Sequence, residues 1–440
     1  MNGSIAEQTR IVAEVATVER GGRVGVSGDR QPPARHPPSP VHFAEGFHRR
    51  TCLVSTEKTV FILGAGFSAP AGGPKQESLL KLALALPETK PKIRKAKDAL
   101  RDFLVKVLNV ARSSVDEISL EDIYTPIDRC LADGVSLRNN TPAELQVIRG
   151  QMEYLLSLAI DRAFGSKPHD AKEYVRDFAS YLVMKASVRA TKARGTEDAS
   201  TAKAYDPFSV ISLNWDIVLD KCLYQALGEH DHWETGGYKP IGVVDYCCYI
   251  SSIGSREERI RAGLWTLGAR GYNVKLLKIH GSMNWLQCSN CQRLFVSFDG
   301  KINIPNFINA ETCHHCRRYD IEAKLQGSLI MPTFLKDLSN FQIKLVWQNA
   351  GVELMEAQRL IFIGYSLPHA DFEFRQLLSR MVHKKAKVDV VLYDDGTPEG
   401  TRRYEDECKR YRQFFSGRTI SFEPRGVIEF VKKLPVAASG

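Results

Sequence analysis

Thr59-Val60-Phe61-Ile62-Leu63-Gly64-Ala65-Gly66-Phe67-Ser68 is a β-branched, apolar run stopped by a glycine. That is the pattern of a strand buried on both faces in a parallel sheet. The turn after it continues as Ala69-Pro70-Ala71-Gly72. Glycines there let backbone approach a diphosphate, and a helix starting at once would point free N–H groups at it. The turn lacks the third glycine of a dinucleotide fingerprint, and no acidic residue ends a second strand about twenty residues on. A strand-to-helix turn with no ligand therefore stands beside the binding reading.

Further strand-like runs are Phe208 to Leu213, Lys275 to Ile279, Leu329 to Met331, Arg359 to Gly364 and Val388 to Tyr393. Helical patterns at Phe341 to Ala357, Phe372 to His383 and Glu399 to Phe415 alternate with them. Strands alternating with helices predict an α/β fold, a parallel sheet wrapped by helices. Residues 77–204 interrupt it as a helical insertion. Ile93, Ala96, Leu100, Phe103, Leu104, Val107 and Leu108 make one apolar face there. Thr141-Pro142-Ala143-Glu144 opens a second helix, running to Gly165, with the hydroxyl, proline and carboxylate of a capped start. A third spans about Ala171 to Ala186, and Thr191 to Ala204 reads as a loop back to the sheet. Residues 1–57, with Gly21-Gly22 and prolines 32, 33, 37, 38 and 40, read as a flexible tail before a domain of residues 58–435.

Three more strand ends carry polar groups. Ser212-Leu213-Asn214-Trp215-Asp216 delivers an amide and a carboxylate to the carboxyl end of its strand, where open α/β sheets bind ligands. Helix capping is the competing role for either residue. Lys278-Ile279-His280-Gly281 delivers an imidazole to the equivalent place, suited to a general base. Phe362-Ile363-Gly364-Tyr365-Ser366 offers small and hydroxyl groups to a phosphate or ribose, with Asp371 beyond as a helix cap.

Cys288-Ser-Asn-Cys291 and Cys313-His-His-Cys316 are the most specific local signal, a four-cysteine zinc-ribbon arrangement within residues 286–320. Four thiolates leave no open coordination position, so the zinc is expected to be structural. His314 and His315 stand as substitute ligands of lower weight. The remaining six of ten cysteines read as ordinary thiols of a reducing compartment, the adjacent Cys247 and Cys248 as buried ones.

A net charge of +9 spread without basic blocks does not indicate nucleic-acid binding. Between the cysteine pairs, Phe295, Val296, Phe298, Ile302 and Ile304 accompany only Arg293 and Lys301 as bases, which suits packing better than gripping phosphates. No apolar stretch approaches a membrane span and no secretory core follows the N-terminus, so the expected location is cytoplasmic.

Taken in order, GAGFSAPAGGP, SLNWD, KIHGSMNW, the paired cysteines and FIGYSLPHAD resemble the sirtuin-like superfamily, which binds NAD+ and cleaves its nicotinamide–ribose bond. The resemblance spans about 58 to 395 outside the helical block and implies a Rossmann-like parallel-sheet NAD domain with a small zinc-binding module. It implies Gly64, Ala65, Gly66 and Ser68 at the cofactor, Asn214 and Asp216 at the nicotinamide ribose, and His280 as catalytic base with Asn214 orienting water or ribose. It places Gly364 and Ser366 near the phosphates or adenosine ribose. The Asp-Phe-Arg run of the protein deacylases is absent, Pro74 being followed by Lys75-Gln76-Glu77-Ser78, and Gly-Tyr-Ser replaces Gly-Thr-Ser. These departures, with the long insertion, resemble the bacterial branch that hydrolyses NAD+ to ADP-ribose and nicotinamide, often in antiphage defence. The four-cysteine module keeps NAD-dependent deacylation of an acyl-lysine protein as the alternative. A non-enzymatic module binding NAD or nucleic acid is the second. The insertion is a candidate homo-oligomer interface or lid.

Overall fold

The computed structural model describes residues 57–194, 207–233, 242–253, 271–297, 304 and 310–435. The expected tail, up to residue 56, lies outside the described residues, as do Phe298 and Ile302.

Seven strands form one sheet in the order β11-β10-β9-β1-β2-β5-β3, every neighbouring pair parallel. They are β1 (Thr59–Leu63), β2 (Phe208–Ser212), β3 (Gly242–Asp245), β5 (Tyr272–Lys278), β9 (Arg359–Ile363), β10 (Lys387–Val391) and β11 (Ile420–Glu423). β1 and β2 are buried throughout, which is why β1 reads as a continuous apolar run, while β2 buries Ser209 and Ser212 among its apolar residues. β1 sits between β2 and β9, so its carboxyl end lies where the sheet's winding reverses, the place at which such sheets open a crevice.

Helices cover both faces. In chain order they are α1 (Ala65–Ser68), α2 (Gln76–Leu84), α3 (Pro91–Lys106), α4 (Leu120–Asp133), α5 (Pro142–Gly165), α6 (Glu173–Arg194), α7 (Val218–Trp233), α8 (His314–Arg317), α9 (Phe341–Glu356), α10 (Phe372–Met381), α11 (Pro398–Phe414) and α12 (Gly426–Lys432). Alternation along β5 separates the layers: Tyr272 and Lys278 meet His230 and Asp220 of α7, whereas Lys275 meets Glu353 of α9. α6 lays Tyr174, Val175, Phe178, Ala179, Leu182, Val183 and Ala186 into the sheet's core, Phe178 packing edge-on to Phe61. The stripe repeats every three to four residues, as an amphipathic helix requires. Thus, of the block 77–204, this last helix belongs to the sheet layer.

α2 to α5 build a second core of their own, joined by Met283, Leu329 and Met331. α5 starts as expected: the Thr141 hydroxyl accepts from the Glu144 N–H, and Glu144 accepts from the Thr141 N–H at 2.8 Å. Two expectations need correction. Thr191 to Arg194 continue α6 rather than form a loop, because the Lys- and Ala-rich sequence keeps helical propensity after its apolar stripe ends. The run Leu329 to Met331 is not a strand of the parallel sheet; β8 (Leu325–Leu329) pairs antiparallel with β6 (Gly281–Cys288). The helix after the glycine turn, α1, is a single turn.

β4 (Ile250–Ser252) and β7 (Leu294–Val296) complete this smaller sheet, ordered β4-β7-β6-β8. Its core holds Leu286, Phe295, Leu325 and the four cysteines. Among the described residues, no helix is long and apolar enough to cross a membrane.

Candidate functional site

The ends of β1 and β9 touch through their glycines. The Gly66 N–H donates to the Gly364 carbonyl at 2.8 Å, and Gly364 takes a left-handed φ of 61°. A Cβ at Gly66 would lie 2.7 Å from the Gly364 Cα, and one at Gly364 would lie 2.2 Å from the Gly66 carbonyl carbon. These glycines are therefore fixed by backbone against backbone.

Ser68, the buried last residue of α1, links this turn to the end of β2. Its hydroxyl donates to Asp216 Oδ2 at 2.8 Å and accepts from Asn214 Nδ2 at 3.2 Å. Asn214 Nδ2 also donates to the Gly64 carbonyl at 2.9 Å. Two acceptors thus fix which end of the amide is nitrogen, and its oxygen is turned the other way. Asp216 both caps α7, accepting from the Val218 N–H at 3.1 Å, and holds Ser68, so capping and site roles coincide. Burial pushes its carboxyl upward, opposed chiefly by the nearby Lys278 ammonium.

His280 follows β5, next to β2. Its Nδ1 lies 3.2 Å from the Leu213 carbonyl, an acceptor only, which selects the tautomer protonated at Nδ1. Nε2 is then a lone pair; it is buried and has no hydrogen-bond partner. Only 8% of the residue is exposed, and burial holds the imidazole below its usual range, partly offset by Asp371. An unpaired buried acceptor is a destabilised group awaiting a proton.

The turn at Gly364 is held from outside: Tyr411 donates to the Tyr365 carbonyl at 2.7 Å and Arg410 to the Ser366 carbonyl at 3.0 Å. Asp371 occupies the N-cap position of α10, yet its side chain caps nothing. Instead Oδ2 accepts from Tyr365 at 3.0 Å, while Oδ1 faces Lys336 and His280. Sequence reasoning reads Asp371 as a cap and misses Lys336 altogether. A lysine in a loop after an unrecognised antiparallel strand gives no signal of burial.

The structure thus gathers Gly64, Ala65, Gly66, Ser68, Asn214, Asp216, His280, Gly364 and Ser366 on the carboxyl ends of four adjacent strands. The cysteines sit apart in the small sheet. All four sulfurs lie within 4.8 Å of one another, with Cys288 to Cys316 at 3.6 Å and Cys291 to Cys313 at 3.8 Å. Zn–S bonds of about 2.3 Å in a tetrahedron put sulfurs about 3.8 Å apart, so the set fits a zinc ion. His314 packs on Phe295 and is outside the cluster, as is His315.

A doubly wound parallel sheet with a polar crevice at its reversal, a helical insertion and a four-cysteine sheet define an α/β fold of the class expected from the motifs. The chain is structurally similar to sirtuins over most of its length, at low sequence identity. It covers 91% of a structure solved for the basis of sirtuin substrate affinity, using 86% of this chain, with 14% identity and a TM-score of 0.30. A second structure on sirtuin substrate affinity gives 13% identity, 86% and 92% coverage and a TM-score of 0.32. A Sir2 complex with the inhibitor EX-527, 2'-O-acetyl-ADP-ribose and deacetylated p53 peptide gives 13%, 86%, 91% and 0.30. No family model and no curated protein matches the sequence.

Proposed function

We propose that the protein cleaves the nicotinamide–ribose bond of NAD+, transferring ADP-ribose to water. The observation that carries this is His280: a buried imidazole with Nδ1 engaged by a backbone carbonyl and Nε2 unpartnered, beside the Asn214–Ser68–Asp216 network. The sequence motifs supply the substrate class. The glycine turns, which bare the backbone of β1 and β9, suit a diphosphate.

Nicotinamide leaves with the bonding electron pair, which neutralises its ring nitrogen, so no general acid is needed. Positive charge then develops on the ribose, and a water oxygen bonds to the anomeric carbon as the C–N bond breaks. Asn214 orients the ribose or the water, and His280 Nε2 accepts the proton released, later passing it to solvent. Asp216, tied to Ser68 and α7, keeps this network in place. Cys288, Cys291, Cys313 and Cys316 would hold a zinc ion with no open coordination position, so its part would be to brace the small sheet. A role in antiphage defence belongs to this reading through the branch its motifs resemble.

Deacylation is the second reading, kept because many members of the hydrolysing branch lack the four-cysteine module; there an acyl oxygen of a lysine substrate attacks in place of water. Incubating zinc-replete protein with NAD+, with and without an acetyl-lysine peptide, separates them. Peptide-independent ADP-ribose is the expected product, and its loss in His280→Ala with fold and zinc content retained is the expected control. Acetyl-ADP-ribose formed only with peptide would make the protein a deacylase. Full activity in His280→Ala would remove the site assignment.

A further inference from the structure

We propose that Asp371 and Lys336 form a positioning pair for His280, setting the charge that meets a proton arriving at Nε2; the inference rests on the NAD+-cleaving reading above. Three segments remote in sequence meet here: the end of β5, the loop after β8 and the residue before α10.

Asp371 Oδ1 lies 3.8 Å from His280 Nε2, beyond hydrogen-bond reach. Two acceptors facing each other keep that spacing. Once Nε2 carries a proton, the same pair becomes cation and carboxylate in a site sheltered from water, which favours the protonated state. Asp371 cannot swing away, because Tyr365 donates to Oδ2 at 3.0 Å and Lys336 Nζ lies 3.3 Å from Oδ1.

Lys336 is itself immobilised. Its side chain is 1% exposed, and Nζ lies 3.1 Å from Glu373 Oε2 and donates to the Ala370 carbonyl at 3.3 Å. A buried lysine needs such partners. It moderates the carboxylate, so that His280 is neutral before the reaction and stabilised once charged. The charged groups bearing on the imidazole are Asp371, Lys336 and Glu373; α9 offers it the uncharged Trp347, and β2 the Leu213 carbonyl. Since the Asp371 side chain caps no helix, capping does not account for its place.

The test compares Asp371→Asn and Lys336→Met with wild type in two ways. Histidine labelled at Cε1 reports the titration of His280 in protein without NAD+, its resonance identified by loss in His280→Asn. The pH profile of ADP-ribose formation reports the same group in turnover. Asp371→Asn should lower the midpoint and the acid limb by about one pH unit, and Lys336→Met should raise both by a similar amount. An unchanged midpoint in Asp371→Asn, or shifts of the same sign in both variants, would overturn the proposal. Asp371→Asn decides alone if Lys336→Met does not fold. Should wild type turn over no NAD+, the proposed function falls, and the titration still supports or overturns the pair.

Discussion

The contact between the β1 and β9 turns makes a quantitative claim that three glycines can separate. Gly134 ends α4 with φ 67° and nothing within 4 Å of an added Cβ, so Gly134→Ala carries only the left-handed penalty, about 1–2 kcal/mol. Gly66 has no positive φ but faces backbone of Gly364 at 2.7 and 2.9 Å, so Gly66→Ala carries only overlap, about 1–3 kcal/mol. Gly364 has both, with a φ of 61° and contacts at 2.2 Å to Gly66 and 2.3 Å to the Phe67 nitrogen. Neither neighbour is a side chain that can rotate away, so Gly364→Ala should cost about 2–5 kcal/mol. Urea unfolding with a common slope measures all three. NAD+ cleavage should fall sharply in Gly66→Ala and Gly364→Ala, where the loops are forced apart, and persist in Gly134→Ala. If Gly364→Ala unfolds like Gly134→Ala and keeps full turnover, the close approach is not what these glycines serve.

Metal analysis should find one zinc per chain, lost in Cys313→Ser; hydrogen exchange should then quicken in β6, β7 and β8 while β1 stays protected, whereas uniform loss of protection would mean that the metal holds the whole fold. Because burial lowers the His280 pKa in the folded chain, its contribution to stability is present above about pH 6.5 and lost as pH falls through the folded value. That slope should shrink in His280→Asn, measured by melting across pH. Gly150 lies inside α5 with open space around an added Cβ, so Gly150→Ala should raise stability by about 1 kcal/mol, read from the urea midpoint; destabilisation would mean this face of α5 is covered.

What the sequence made legible follows its local physics. β1 and β9 announce themselves because burial on both faces favours near-continuous apolar runs closed by a glycine, while β2 and β10 keep an apolar majority around Ser209 and Asp389. The cysteine pairs are legible because metal ligands need fixed spacing. β4, β6 and β7 are not: β6, Gly281-Ser-Met-Asn-Trp-Leu-Gln-Cys, is polar at Ser282 and Asn284, both fully buried, so alternation gives no cue. Lys336 and the turn of Asp371 away from its helix are tertiary facts, fixed by three segments that meet only on folding.

The cysteine sheet bears on the choice between water and a lysine-borne acyl group less than its presence suggests. His280 ends the run from β5 and Gly281 begins β6, so this imidazole stands at the corner where one sheet passes into the other. That corner is tight: Gly281 has φ 72°, and a Cβ would lie 2.0 Å from the Ser328 carbonyl on β8. The His280 carbonyl accepts from Ile330 just past β8 at 3.0 Å, and Trp347 holds the Ile279 carbonyl at 2.8 Å. The same β8 pairs, at its other end, with Cys288 through Leu325. A metal clamping the sulfurs would therefore brace the two strands that flank the imidazole. Either of the two proposed reactions would need that imidazole in place, so the four cysteines are accounted for by the placement of His280 and do not by themselves argue for a protein substrate.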